Sequence, residues 1–264
     1  MFNNLTPVVR NLLIINVLIY FIGSFIKMDL TAIFGLRNIN AETFKPYQLV
    51  TYMFLHGDLG HLFSNMFGLF MFGSMLERIW GSNRFLFFYF FTGVGAGVLY
   101  LGINYYESYK LAQAINIYSQ HPSPESFVGF INKYTGGSGA IQLGSFLEKF
   151  RANPADASLI NETVMAVKSF YNSQINIPMV GASGAIFGIL MAFGYLFPNT
   201  EMMLLFFPFP IKAKYFVTFY GLYELYTGIQ RSQGDNVAHF AHLGGMLFAI
   251  ILLKYWGTER NKFY

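Results

Sequence analysis

Long apolar runs alternate with short polar breaks along this chain, and one polar stretch interrupts the series. A helix needs about 20 mainly apolar residues to cross a hydrocarbon core ~30 Å thick. Runs at 11–26, 62–80, 85–103, 179–197 and 237–256 meet that measure. A sixth, at 213–230, is weaker and carries Glu224. It is counted as a span because an odd number of crossings leaves a poor charge balance. Only Arg10 precedes the first run and no small-residue cleavage site follows it, which reads as a retained anchor.

Segment 104–178 is the interruption. It is polar, with five basic and five acidic residues, and contains no spanning stretch. Ser123-Pro124-Glu125 marks a helix start, with Pro at the first helical position. Helical spacing of apolar residues is expected over 124–134, 141–151 and 155–172, broken at Gly136-Gly137 and Asn153-Pro154. The expected fold is an all-α membrane protein with six transmembrane helices and a helical external insert between the third and fourth. Its domains are 1–103 (spans one to three, with an external loop at 28–60 lying in the interface), 104–178 (the insert) and 179–264 (spans four to six).

Composition sharpens this picture. Hydrophobic residues make up 54% of the 264 and charged residues only 11%, against roughly 25% charged in soluble domains. Disorder is excluded by that apolarity, and the absence of Cys excludes a disulfide scaffold or a thiolate metal site. The net charge of +4 comes from scattered Lys and Arg with no basic stripe, so nucleic acid is not a partner. With the N-terminus inside, Arg10, Arg78, Arg84, Lys212, Lys214, Lys254, Arg260 and Lys262 are cytoplasmic, and Lys27, Arg37, Lys45 and Arg231 are external. The positive-inside rule then places both termini in the cytoplasm, and the composition suggests a bacterial cell (inner) membrane.

Polar side chains inside spans are costly and by default functional. Four of the five His sit at or in spans: His56 and His61 entering the second, His239 and His242 in the sixth. His61 and Asn65 share a helix face. Ser183 opens the fourth span within Gly181-Ala182-Ser183-Gly184, with Phe187 one turn on. By topology these positions lie at similar depth near the external face, His242 about one and a half turns in. A Ser hydroxyl needs a base, His is the usual one, and the oxyanion formed needs donors, each worth roughly 3–4 kcal/mol. Ser183 and His242 therefore read as a Ser–His dyad, with His61 and Asn65 as oxyanion donors. No acid is evident at that depth, the position of Glu224 being open, so no third member is assigned; Phe187 is an alternative means of holding the imidazole.

Other features have plainer readings. Gly136-Gly137-Ser138-Gly139 repeats the Ser183 pattern but precedes an amphipathic soluble segment, so Ser138 is assigned to a loop. Glu77, beside Arg78, reads as a cap and ion-pair residue, and His239 as a lining of the water entry. Gly93, Gly95 and Gly97 mark tight packing.

These residues together resemble the rhomboid intramembrane serine proteases. The resemblance is carried by His61-x-x-x-Asn65, Gly73-x-x-x-Glu77 with Gly81, Gly181-Ala182-Ser183-Gly184, and Ala241-His242-Leu243-Gly244-Gly245, with Phe54-Leu55-His56-Gly57 before them. It covers all six spans and omits the insert. It implies cleavage of single-span membrane proteins near the outer face, Ser183 as nucleophile, His242 as base, His61 and Asn65 with the Ser183 N–H at the oxyanion, and Phe187 against the imidazole. Gly181 and Gly184 are supporting residues. No metal or other cofactor is implied; the partners are transmembrane protein substrates, the lipid bilayer and a possible partner of the 104–178 insert. Tyr47-Gln48 stands where many members have Trp-Arg, and Ala249 where Gly is frequent. The alternatives are a catalytically inactive rhomboid-like binding protein, a membrane haem or metal protein using His61, His239 and His242, and a transporter.

Overall fold

In the computed structural model, residues 5–26, 28–135, 143–204, 207–230 and 237–257 are described. The helices are α1 (Pro7–Ile26), α2 (Leu30–Phe34), α3 (Gln48–Thr51), α4 (Leu59–Trp80), α5 (Ser82–Gln120), α6 (Pro124–Thr135), α7 (Gly144–Ala152), α8 (Ala157–Ile175), α9 (Ser183–Leu196), α10 (Ala213–Gln230) and α11 (His239–Tyr255). Three of them (α1, α4 and α5) are long and apolar enough to cross a membrane, while α9 and α11 are shorter and apolar.

The chain is an all-α membrane bundle whose apolar side chains face outward as well as inward. Ile14, Leu18, Phe21 and Phe25 of α1 and Phe219, Leu222, Tyr226 and Ile229 of α10 are exposed. In water such surface would be unstable; against lipid tails it costs nothing. The centre belongs to α9, which buries 11 of its 14 residues and packs on α5 and α11. Small residues make this approach possible. A Cβ on Gly245 of α11 would run into the Gly184 carbonyl oxygen of α9, and one on Gly184 would lie 2.6 Å from Ala96 Cβ of α5.

Two anchors hold the periphery. Glu77 is buried near the end of α4, and its carboxylate accepts the Val8 and Val9 N–H groups at 3.0 and 2.9 Å and the Ser82 hydroxyl at 2.7 Å. It therefore caps α1, satisfying amides that have no intrahelical partner, rather than its own helix. In the loop before α4, the buried Gln48 donates to the Ile33 and Thr43 carbonyls at 3.1 Å. Tyr47-Gln48 thus stitches that loop internally through the Gln48 amide.

The helix of the third span continues past 103. α5 runs 39 residues, about 58 Å at 1.5 Å per residue, roughly twice the hydrocarbon thickness. Its projecting end packs with α6, α7 and α8 around a second core of Leu111, Ile115, Tyr118, Phe127, Phe150 and Val167. The Tyr118 hydroxyl bonds Thr163 Oγ1 at 2.6 Å within it. α6, α7 and α8 begin within about three residues of the expected helices. The insert is tied to the loop at 28–58, Arg37 bonding Asn176 and Asn38 bonding Asn104, and Leu36 pairs with Met179 just beyond it.

A feature absent from the sequence reading is an antiparallel hairpin, β1 (Glu201–Leu204) and β2 (Phe207–Lys212), with Glu201 opposite Lys212 and Met202 opposite Ile211. β2 contains Pro208 and Pro210; a two-stranded sheet has only edge strands, where Pro is tolerated.

Candidate active site

Ser183 begins α9, and the chain reaches it through Gly181 at φ +128°. That conformation favours glycine, and space demands it too: a Cβ there would lie 2.7 Å from His61 Nε2 and 3.5 Å from Ser183 Oγ. Gly181 keeps open the gap that His61 and Ser183 flank. First-turn amides of a helix lack intrahelical acceptors, so the N-terminus of α9 offers N–H groups beside Ser183.

His242 Nε2 lies 2.8 Å from Ser183 Oγ. Its ring stacks on Phe187, centroids 4.1 Å apart and planes within 6°. α11 starts at His239, so His242 occupies the first turn of the described helix rather than lying one and a half turns in.

His61 sits in the first turn of α4, where Asp58 accepts its backbone N–H at 2.8 Å. Its Nδ1 accepts the Gly57 N–H at 3.4 Å, a long bond that assigns the ring proton to Nε2, the atom facing Gly181. Asn65, one turn deeper, donates one amide hydrogen to the His61 carbonyl at 2.8 Å and has a second to give. Its Oδ1 is buried without a partner. The structure therefore gathers Ser183, His242, Phe187, Gly181 and His61; Asn65 makes no hydrogen bond to Ser183. His56 is buried edge-on against His61 at 5.1 Å, with neither ring nitrogen partnered. Burial pushes its imidazole down to about 3, the neighbouring His61 adding to the effect. Ser138 lies outside the described residues.

Two readings of the sequence are corrected here. An acid does lie at the depth of His242: Glu224 of α10, whose Oε2 is 2.8 Å from His242 Nδ1. And His239 does not line an entry; it is 8% exposed and its Nδ1 lies 2.6 Å from the same Oε2. A signal was present in the spacing. Ala213, Val217, Glu224 and Gly228 form the buried face of α10, so the acid shares a stripe with small residues that admit close packing. A Cβ on Gly228 would lie 3.1 Å from His239 Cβ.

Glu224, His239 and His242 also offer three ligand atoms within 4.8 Å of one another. Their separations of 2.6 and 2.8 Å are hydrogen-bond lengths. Two donors on one tetrahedral Zn²⁺, each ~2.0–2.2 Å from it, would stand about 3.3 Å apart. The trio as arranged fits shared protons better than an ion, and His61 is not among it.

The Rhomboid domain family matches residues 43–142 and 157–257. RHOMBOID-like protein 12, mitochondrial, of Arabidopsis thaliana is 27% identical over 81% of this chain and 48% of its own length. An uncharacterized mitochondrial rhomboid protein of Schizosaccharomyces pombe is 27% identical over 83% of this chain and 53% of its own length. Rhomboid-like protein 11, chloroplastic, of Arabidopsis thaliana is 43% identical over 20% of this chain and 19% of its own length. The chain spans about half the length of the first two, and all three are organellar, which gives the bacterial expectation no support. No solved structure matches significantly. With the match covering both halves of the bundle and every helix that carries the site, this chain belongs to the rhomboid family.

Proposed function

We propose that the protein is an intramembrane serine endopeptidase that cleaves single-span membrane protein substrates near the external membrane face. The observation that carries this reading is the 2.8 Å approach of His242 Nε2 to Ser183 Oγ beneath a stacked aromatic ring. The positive-inside balance supports a membrane setting with both termini cytoplasmic.

Ser183 Oγ attacks the scissile carbonyl carbon as His242 Nε2 takes its proton. The oxyanion of the tetrahedral intermediate receives hydrogen bonds from the Ser183 N–H, His61 Nε2 and the second N–H of Asn65. The intermediate collapses, the C–N bond breaks, and His242 returns the proton to the departing amine. Water then attacks the acyl-serine with His242 again as base, releasing the carboxylic acid and restoring Ser183.

The insert is moored to the loop that precedes α4. We infer that it gates substrate entry or docks a partner. Deletion of 108–172 should alter cleavage of membrane substrates while leaving Ser183 reactive to a small probe; unchanged cleavage of every substrate would remove this role.

The primary test is fluorophosphonate labelling with cleavage of a single-span substrate in liposomes. Ser183→Ala and His242→Ala should lose both signals with thermal stability retained, and Ser138→Ala should keep both. Cleavage surviving in Ser183→Ala would reject the assignment.

A further inference from the structure

Glu224 is buried in α10 at the cost of desolvating a carboxylate. Such a group needs nearly all its acceptor capacity used, and here one oxygen is shared by two imidazoles, His242 Nδ1 at 2.8 Å and His239 Nδ1 at 2.6 Å. An ionised carboxylate only accepts, so both Nδ1 atoms carry protons. For neutral His242 this leaves the Nε2 lone pair bare, and Nε2 is the atom 2.8 Å from Ser183 Oγ. The tautomer required of a base is thus dictated from the far side of the ring. His239 is itself fixed by Thr227, whose hydroxyl lies 3.0 Å from its Nδ1 and donates to the Tyr223 carbonyl at 2.8 Å.

Resting on the serine-protease reading above, we propose that Glu224 is the positioning residue of the catalytic base, completing a Ser183–His242–Glu224 triad, with His239 locking the carboxylate in place. When His242 takes the Ser183 proton, the imidazolium forms against an anion already aligned with it. The proton on Nδ1 stays there; the carboxylate orients and stabilises. Among the described residues, the other titratable groups near His242 are His61 from α4, and Tyr220 from α10, whose ring packs on Phe187 at 4.8 Å. Neither touches Nδ1, which faces the Glu224 carboxylate.

The test uses the full-length protein in liposomes with a single-span substrate. Ser183→Ala, run in parallel, reports on the serine-protease reading alone. Glu224→Gln keeps the shape and removes the charge. Its kcat should fall on the order of 10³–10⁴-fold with KM within about twofold, and fluorophosphonate labelling should slow in proportion. The acid limb of the pH–kcat/KM profile should move to lower pH, because His242 loses its anionic partner. Glu224→Asp restores the charge with a shorter reach; its acid limb should stay near wild type while kcat falls about tenfold or more. This second variant decides the matter if Glu224→Gln does not accumulate folded. A merely structural Glu224 would lower thermal stability without moving the limb. The proposal is overturned if Glu224→Gln, or failing it Glu224→Asp, turns over within about twofold of wild type with the limb unmoved while Ser183→Ala is dead. It is also overturned if a chelator abolishes wild-type cleavage and Zn²⁺ restores it, since the trio would then be metal ligands.

Discussion

The Phe187 ring lies flat against the His242 imidazole, 4.1 Å away and 6° from parallel. Both rings are buried, and Tyr220 backs the Phe187 ring at 4.8 Å. The stack fixes the plane in which Nε2 can meet Ser183. Aromatic pairs are worth about 0.5–1.5 kcal/mol beyond burial, so Phe187→Leu should lower kcat by up to about tenfold at unchanged KM. Phe187→Tyr should retain most of it. Steady-state kinetics on the two variants checks this, and an equal KM rise in both would point to substrate contact instead.

His61 Nε2 and the free N–H of Asn65 are assigned to the oxyanion, where they matter only once charge develops. His61→Ala and Asn65→Ala should each reduce kcat by about 10–10³-fold with little change in KM. A peptide aldehyde, whose serine adduct carries the same oxyanion, should lose affinity in proportion. A loss in KM alone would assign these side chains to substrate binding.

Much of this architecture could be read from spacing, and the failures share a cause. Ser183, His242, His61 and Phe187 were legible because each sits in a short motif whose helical period places it on a known face. Glu224 was not, because its partner stripe (213, 217, 224, 228) mixes alanine, valine and glycine with the acid and lacks a strong apolar face. The identity of its partners depends on which way α10 rotates, and that is set by tertiary packing of its Gly228 against His239 and Phe240 of α11. The hairpin at 201–212 escaped because prolines argue against strands except at edges. The length of α5 escaped because its second half is polar, and polarity ended the apolar run without ending the helix.

Glu77 joins α4 to α1 through two hydrogen bonds to a charged acceptor and to the start of α5 through a third. Such bonds contribute about 1.5–3 kcal/mol each. Glu77→Ala should destabilise the protein by roughly 2–4 kcal/mol and loosen α1, which otherwise buries only Val9, Leu12 and Asn16. Thermal unfolding in detergent and protease sensitivity of the N-terminal helix would register it. Activity per folded molecule should be nearly unchanged.

His56 predicts an acid sensitivity. Its folded pKa is lowered to about 3 by burial, while an unfolded imidazole titrates near 6.5. Above pH ~6.5 it is neutral in both states and contributes no pH dependence. Below that, the unfolded chain binds a proton that the folded protein refuses, so stability falls as pH drops toward 3. His56→Phe should flatten the slope of Tm against pH between about 6.5 and 4. An identical slope in the variant would assign the sensitivity elsewhere.

Gly245 carries the tightest constraint on the catalytic geometry, although it touches no reacting atom. It stands one turn below His242 on α11, with the Gly184 carbonyl of α9 where its Cβ would be. The obstacle is backbone on a buried helix, so it cannot rotate aside. Gly245→Ala must therefore push α11 from α9, lengthening the 2.8 Å link between His242 and Ser183. A misplacement of about 1 Å can cost 10²-fold in rate, and overpacking costs about 1–3 kcal/mol in stability. The variant should fold with a lowered Tm and lose about 10²-fold or more in kcat, with fluorophosphonate labelling slowed in parallel. Gly257, which has no heavy atom within 4 Å of a Cβ position, supplies the control: Gly257→Ala meets only local backbone strain at φ +60° and should leave labelling unchanged. If Gly245→Ala labelled at the wild-type rate, the α9–α11 contact would not be what sets the distance between nucleophile and base.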